Sequence, residues 1–195
     1  MTQCSARTRR HFITTSFAGI ATATLAGCAA GAGLKPLPPP ASGPYRLGTG
    51  DKLRITVFGQ KQLSADYTVG DSGTIDFPLL GPVPARGRSA RDLGGNIASS
   101  LQRRGILRHP SVTVEVRKYR PFSILGEVNK PGQYRFEPGM TVLTAVSLAG
   151  GFTYRAVESD MGVIRVRGRQ THEYRAQADA LIEPGDVIKV FERHF

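Results

Sequence analysis

Leu53, Ile55 and Val57 alternate with Lys52, Arg54 and Thr56, the two-residue period of a strand with one face buried. Val112, Val114 and Val116 alternate with Thr113, Glu115 and Arg117 and give the clearest strand in the chain. Shorter strands are predicted at 67–69, 74–77, 122–128, 134–136 and 187–191, and Ile164 and Val166 alternate with Arg165 and Arg167. Pro78, Pro82 and Pro84 confine the residues around them to edges and turns. Helical spacing occurs twice. Ser89 with Asp92 resembles a capping box opening a helix to about Arg104, with Leu93, Ile97 and Leu101 as its apolar stripe. Gly94 and Gly95 weaken that helix by about 1 kcal/mol each unless close packing needs them. Thr141 caps a second helix carrying Val142, Leu143, Val146 and Leu148, which Gly150-Gly151 stops.

Turn chemistry punctuates these elements. Asp71-Ser72-Gly73 is a turn, and Asn129-Lys130-Pro131-Gly132 has proline and glycine in the order a type II turn favours. Gly48-Thr49-Gly50-Asp51 and Glu183-Pro184-Gly185-Asp186 each lead into a strand. The resulting echo, Gly50-Asp51-Lys52-Leu53-Arg54-Ile55 against Gly185-Asp186-Val187-Ile188-Lys189-Val190, reads as a shared turn-into-strand solution rather than a duplication. Strands around one helix, met twice, make an α+β chain: a small α/β domain over 45–118, then a ubiquitin-like β-grasp domain over 119–195.

The N-terminus changes the picture. Arg7, Arg9 and Arg10 form a basic region without acids, followed by a weakly apolar run over 12–26. That run is too short and too rich in threonine for a membrane-spanning helix, which needs roughly 20 apolar residues. It ends in Leu25-Ala26-Gly27-Cys28, which resembles a bacterial lipobox and makes 1–27 a signal peptide and Cys28 the lipid-attachment site. Thr8-Arg9-Arg10-His11-Phe12-Ile13 resembles a twin-arginine export signal. An ordinary secretion signal that happens to hold an arginine pair is the alternative, and both stay open. Ala29 stands where an aspartate would resemble an inner-membrane retention signal, so the expected location is the outer membrane, lipid-anchored and facing the periplasm. Residues 28–44, with Leu37-Pro38-Pro39-Pro40, read as a lipidated, extended spacer.

Charge is then read through that compartment. The chain of 195 residues carries +11, and loss of 1–27 leaves 23 basic residues against 15 acids, a net charge of +8. A pI near 10.3 points to an anionic partner such as nucleic acid, a membrane surface or an acidic polymer. Export disfavours nucleic acid, and the basic and aromatic run Arg117-Lys118-Tyr119-Arg120-Pro121-Phe122 reads as a solvated strand end entering a turn. Cys4 falls inside the signal peptide, which leaves Cys28 alone and allows neither an internal disulfide nor a cysteine zinc site.

A family resemblance rests on four motifs in order. Residues 45–59, YRLGTGDKLRITVFG, resemble the opening of the polysaccharide-export domain, and Asp71-Ser72-Gly73-Thr74-Ile75 with Leu80-Gly81-Pro82-Val83 resemble its next strands. Leu125-Gly126-Glu127-Val128-Asn129-Lys130-Pro131-Gly132 and Ala149-Gly150-Gly151-Phe152-Thr153 resemble the SLBB β-grasp domain that follows. The resemblance implies a subunit of a capsule or exopolysaccharide export channel. Its implied partners are the exported polysaccharide, an inner-membrane chain-length or co-polymerase protein, the outer membrane and further copies in a ring. With one SLBB domain and no helix after the last strand, the chain is expected to be a short member lacking the C-terminal membrane helix. A non-channel periplasmic glycan-binding or regulatory lipoprotein is the alternative.

Catalysis is not expected, nor is a cofactor or metal. His109, His172 and His194 stand beside no nucleophile motif, and Gly48-Thr49-Gly50 lacks the Gly-Lys-Ser/Thr of a phosphate-binding loop. Scattered Asp and Glu suit turns and strand surfaces better than a paired-carboxylate glycosidase site.

Overall fold

Residues 33–168 and 170–193 are described by the computed structural model. The first element, β1 (Lys35–Pro36), is followed by β2 (Lys52–Val57), whose Leu53, Ile55 and Val57 are buried as their alternation requires. A single 3-10 turn at Lys61–Leu63 leads to β3 (Ala65–Thr68), then to the hairpin of β4 (Thr74–Phe77) and β5 (Gly81–Pro84). With a strand partner on one side only, β5 tolerates Pro82 and Pro84. Helix α1 (Ala90–Arg103) begins at a complete capping box: the Asp92 amide donates to Ser89 Oγ and the Ser89 amide to the Asp92 carboxylate. Those bonds from Ser89 lower the Asp92 pKa. Leu93, Ile97 and Leu101 are buried, and the two glycines divide. A Cβ on Gly94 would sit 3.1 Å from the Val112 carbonyl oxygen, whereas Gly95 faces open space.

Strand β6 (Val112–Lys118) lies under α1 and pairs with β2, so the first domain is a β3-β2-β6 sheet with one helix and one hairpin. Next come β7 (Phe122–Gly126), β8 (Gly132–Tyr134), α2 (Val142–Leu148), β9 (Ala156–Arg167), β10 (Gln170–Ala176) and β11 (Val187–Glu192). They build a sheet in the order β1-β10-β9-β11-β7-β8, with β7 and β11 parallel, as in a β-grasp fold. The α+β expectation holds. Phe122, Ile124, Val142, Val146, Met161, Val163 and Ile188 belong to one buried cluster; Leu53, Ile55, Phe77, Leu93 and Ile97 belong to the other.

Several local readings need correction. The strand expected over 122–128 ends at Gly126, where φ is +91°, and Val128 makes only an isolated bridge to Phe152. Residues 129–132 form no type II turn, because Gly132 does not adopt a positive φ and already belongs to β8. The loop is tied instead to the end of α2, with the Lys130 amide on the Ala149 carbonyl at 2.8 Å. On α2 the buried face is Val142, Ala145 and Val146, and Leu143 and Leu148 are exposed. On β9 the expected faces are reversed at 164–166, where Arg165 is buried, Ile164 half-buried and Val166 exposed, while Arg167 is exposed as expected. The spacer does not stand free along its described part. Lys35 and Pro36 pair in parallel with Tyr174 and Arg175, and Leu37 packs on the second core.

Gly126 answers to two constraints at once. Its φ is positive, and a Cβ there would overlap the Val190 carbonyl oxygen of β11. Gly126→Ala is therefore expected to lower stability by about 2 kcal/mol or more in urea unfolding. Gly139→Ala, with φ +85° but open space around it, should cost only about 1 kcal/mol.

Candidate functional site

The two Gly-Asp turns of the sequence echo use one hydrogen-bonding scheme. The Gly48 amide donates to Asp51 Oδ2 at 2.8 Å while the Asp51 amide donates back to the Gly48 carbonyl at 3.2 Å. In the second domain the Glu183 amide donates to Asp186 Oδ2 at 2.7 Å, and the Asp186 amide to the Glu183 carbonyl at 3.1 Å. Both carboxylates are buried. Each closes its own turn and launches the strand that follows, β2 or β11.

The turns face one another across Arg120. The Arg120 amide donates to Asp51 Oδ1 at 2.9 Å, and its guanidinium donates to the Tyr45 hydroxyl, also at 2.9 Å. The Tyr45 hydroxyl in turn donates to Asp51 Oδ2 at 2.7 Å. On its other side the guanidinium lies against Gly185, where φ is +85° and a Cβ would come within 2.7 Å of Arg120 Nε; Gly48 leaves similar room from the first domain. Tyr119 stands edge-on to Tyr45 at 4.9 Å and to Phe136 at 5.7 Å, an aromatic ladder from one core to the other. Burial, and then the bond to Asp51, push the Tyr45 pKa far above the ordinary phenol range.

Behind the second turn lies a buried ion pair. Arg165 donates from Nε and Nη2 to the two oxygens of Asp186, at 2.9 and 2.7 Å, and from Nη1 to Glu183 at 3.1 Å. Burial alone would lower the Arg165 pKa, but Asp186 and Glu183 outweigh it and raise it. Truncating either partner of such a pair strands a buried charge, at a cost of about 3–5 kcal/mol.

A cleft of about 390 Å³ opens beside this junction, walled by Pro40, Pro44, Tyr45, Tyr119, Phe136 and Leu181. The charged groups along it are already paired, as Arg167 is with Glu183 at 2.7 Å. What it offers a ligand is apolar and aromatic surface with a few polar edges. Among the described residues no cluster of His, Cys, Asp and Glu is placed to hold a metal ion. His109, before β6, and His172, on β10, are exposed, while His194 lies outside the described residues, as do Cys28, Arg9 and Arg10.

The sequence reading passed over the junction residues individually. In the sequence Asp51 and Asp186 stand out only as members of a shared turn-into-strand pattern, and the 117–122 run suits a solvated strand end, whereas Tyr119 and Arg120 are half-buried between the domains.

Comparison with known proteins bears on the same two-part organisation. The family model for polysaccharide biosynthesis/export proteins matches residues 39–117, and that for the SLBB domain matches 121–173. The chain belongs to the polysaccharide-export family. Within that family it is 41% identical to the exopolysaccharide production protein ExoF of Rhizobium meliloti, over 55% of this chain and 28% of the relative. It is 28% identical to the EPS I polysaccharide export outer membrane protein EpsA of Ralstonia solanacearum, over 77% of this chain and 48% of the relative. The chain thus spans less than half the length of these polysaccharide-export relatives. The two family matches meet at 117–121, beside Arg120.

The junction carries a pH signature. An unfolded chain releases the Tyr45 proton near pH 10.0, whereas the folded junction retains it. Above that pH the folded state binds more protons, so stability falls as pH rises; below it Tyr45 contributes no slope. Tyr45→Phe should therefore flatten the decline in unfolding free energy above pH 10, while costing about 1 kcal/mol at neutral pH through the lost hydroxyl. Urea titrations of both proteins at several alkaline pH values check this, and parallel declines would refute it.

Proposed function

We propose that this chain is a periplasmic, outer-membrane-anchored subunit of a channel that exports capsule or exopolysaccharide. The observation that carries the reading is the order of the two family matches on one chain, an export domain and then an SLBB domain. The relatives' names support it: one is a production protein for exopolysaccharide, another an outer-membrane export protein. In this reading 1–27 is the export signal, to which Arg9 and Arg10 belong, and Cys28 carries the lipid. The passenger is the polysaccharide, handed on by an inner-membrane chain-length or co-polymerase protein. The chain acts by enclosing and guiding, not by catalysis.

One copy is too small to surround a hydrated sugar chain, so the passage comes from repetition about an axis with cyclic closure. Strands β3, β6 and β8 each have a free edge among the described residues, where a neighbouring copy can pair or pack. Among the described residues no helix is long and apolar enough to cross a membrane.

Deleting the gene should abolish secretion of the polymer while isolated membranes still assemble lipid-linked repeat units; failure of that assembly would move the protein into synthesis. Complementation with Cys28→Ala should yield unprocessed precursor that no longer fractionates with outer membrane, and normal processing would remove Cys28 from its role. Mass measurement in mild detergent should give a closed multimer. A strict monomer would favour the alternative, a glycan-binding lipoprotein using the cleft beside Arg120.

A further inference from the structure

The far end of the first domain, away from Arg120, gathers three loops. The Phe58 amide donates to the Ser111 carbonyl at 2.9 Å, which ties the loop after β2 to the one before β6. Arg104 Nη1, at the end of α1, donates to the Leu79 carbonyl at 3.0 Å and ties in the tip of the β4–β5 hairpin. Two apolar side chains stand out from this end, Phe58 at 85% exposure and Leu79 at 65%. A single exposed leucine needs no explanation, but Phe58 and Leu79 are two large apolar groups at the tips of loops that are both tied to the 104–111 segment. Leu79 also holds a φ of +64°, a left-handed conformation that a side chain ordinarily avoids.

The surroundings are cationic. Lys61, Arg103, Arg104, Arg108 and His109 lie on these loops or at the adjoining end of α1, all exposed. Residues 58–64, 77–84 and 100–114 contain no Asp or Glu. The nearest acid on β3, Asp66, is held by Arg54 at 3.3 Å.

We propose that this tip docks on the surface of an anionic phospholipid bilayer, Phe58 and Leu79 entering the headgroup–acyl boundary while the surrounding cations meet lipid phosphates. Protruding apolar tips on loops that also carry exposed cations suit an interface that is apolar below and anionic above. A soluble acidic polymer would use the cations but would leave Phe58 and Leu79 in water. The contact differs from a lipid anchor at Cys28, because the chain after Cys28 runs to β1 on the second domain. It adds a second membrane contact to the proposed channel subunit without depending on that reading.

The chain contains no tryptophan, so Phe58→Trp places one fluorophore at the tip of the full-length protein. On vesicles of phosphatidylcholine with phosphatidylglycerol its emission should shift to shorter wavelength and be quenched by brominated acyl chains. Vesicles of phosphatidylcholine alone should give little of either, which separates tip docking from any effect of an attached lipid. Arg103→Glu with Arg108→Glu should raise the lipid concentration for half-maximal shift at least about tenfold. Gln62→Trp, on the same loop, is a second reporter should Phe58→Trp not fold, and Tyr154→Trp in the second domain should stay unquenched. An unshifted tip reporter on anionic vesicles overturns the proposal, as does an equal shift on neutral ones. A shift produced by soluble polygalacturonate and not by vesicles overturns it in favour of an acidic glycan.

Discussion

A buried carboxylate that closes a four-residue turn is the device on which both domains depend. Asp51 and Asp186 each accept the amide three residues back, and each then feeds a strand into the centre of its sheet. A charge with so little contact with water is tolerable only when fully hydrogen-bonded. Asp51 finds its remaining donors in Tyr45 and Arg120, and Asp186 finds them in Arg165. The partner sets differ in consequence. Arg165 stays within its own domain and stiffens it, whereas Arg120 belongs to the segment joining the domains and couples them.

That coupling gives the two-domain order its mechanical sense. In the proposed channel of repeated copies, each copy would have to hold its two parts at a fixed angle, or the ring would have no defined bore. Arg120 lies between Gly48 of one domain and Gly185 of the other, and neither position has room for a side chain. The aromatic contacts Tyr45–Tyr119–Phe136 extend the contact toward both cores. The family matches end and resume at this segment, so the junction is where two separately recognisable modules become one part.

Regular periodicity made much of the fold legible. The alternation at 53–57 and the capping box at Ser89 and Asp92 are local signals, and local physics decides them. Legibility failed where a distant partner decides. Nothing local marks Arg165 as the buried member of its strand, because its acceptors lie about twenty residues on, in the turn before β11. Strand β10, Gln170–Ala176, is largely polar and carries no apolar alternation, yet β9 and β1 hold it from either side. The proline-rich spacer looked unable to pack, but Leu37 reaches the second core once β1 has found an edge. The candidate site was visible only as the repeated Gly-Asp pair. The arginine that connects the turns sat in a run whose composition equally suits solvent.

The positive charge of the chain changes meaning once it is distributed. At physiological salt a charge is felt for only about 8 Å, so a net value says little about what the molecule holds. Among the described residues of the second domain and the junction the arginines are matched: Arg120 with Asp51, Arg165 with Asp186 and Glu183, Arg175 with Asp160, Arg193 with Glu158. At the far end of the first domain Lys61 and Arg108, on loops, and Arg103, at the end of α1, stand in segments without an acid of their own. The excess is therefore local, and it coincides with the two most exposed apolar side chains of that domain. Composition alone suits nucleic acid, a membrane surface or an acidic polymer as partner for a basic chain. Placing the unmatched charge beside Phe58 and Leu79 separates them, since among the three only a bilayer offers an anionic surface with an apolar layer beneath it.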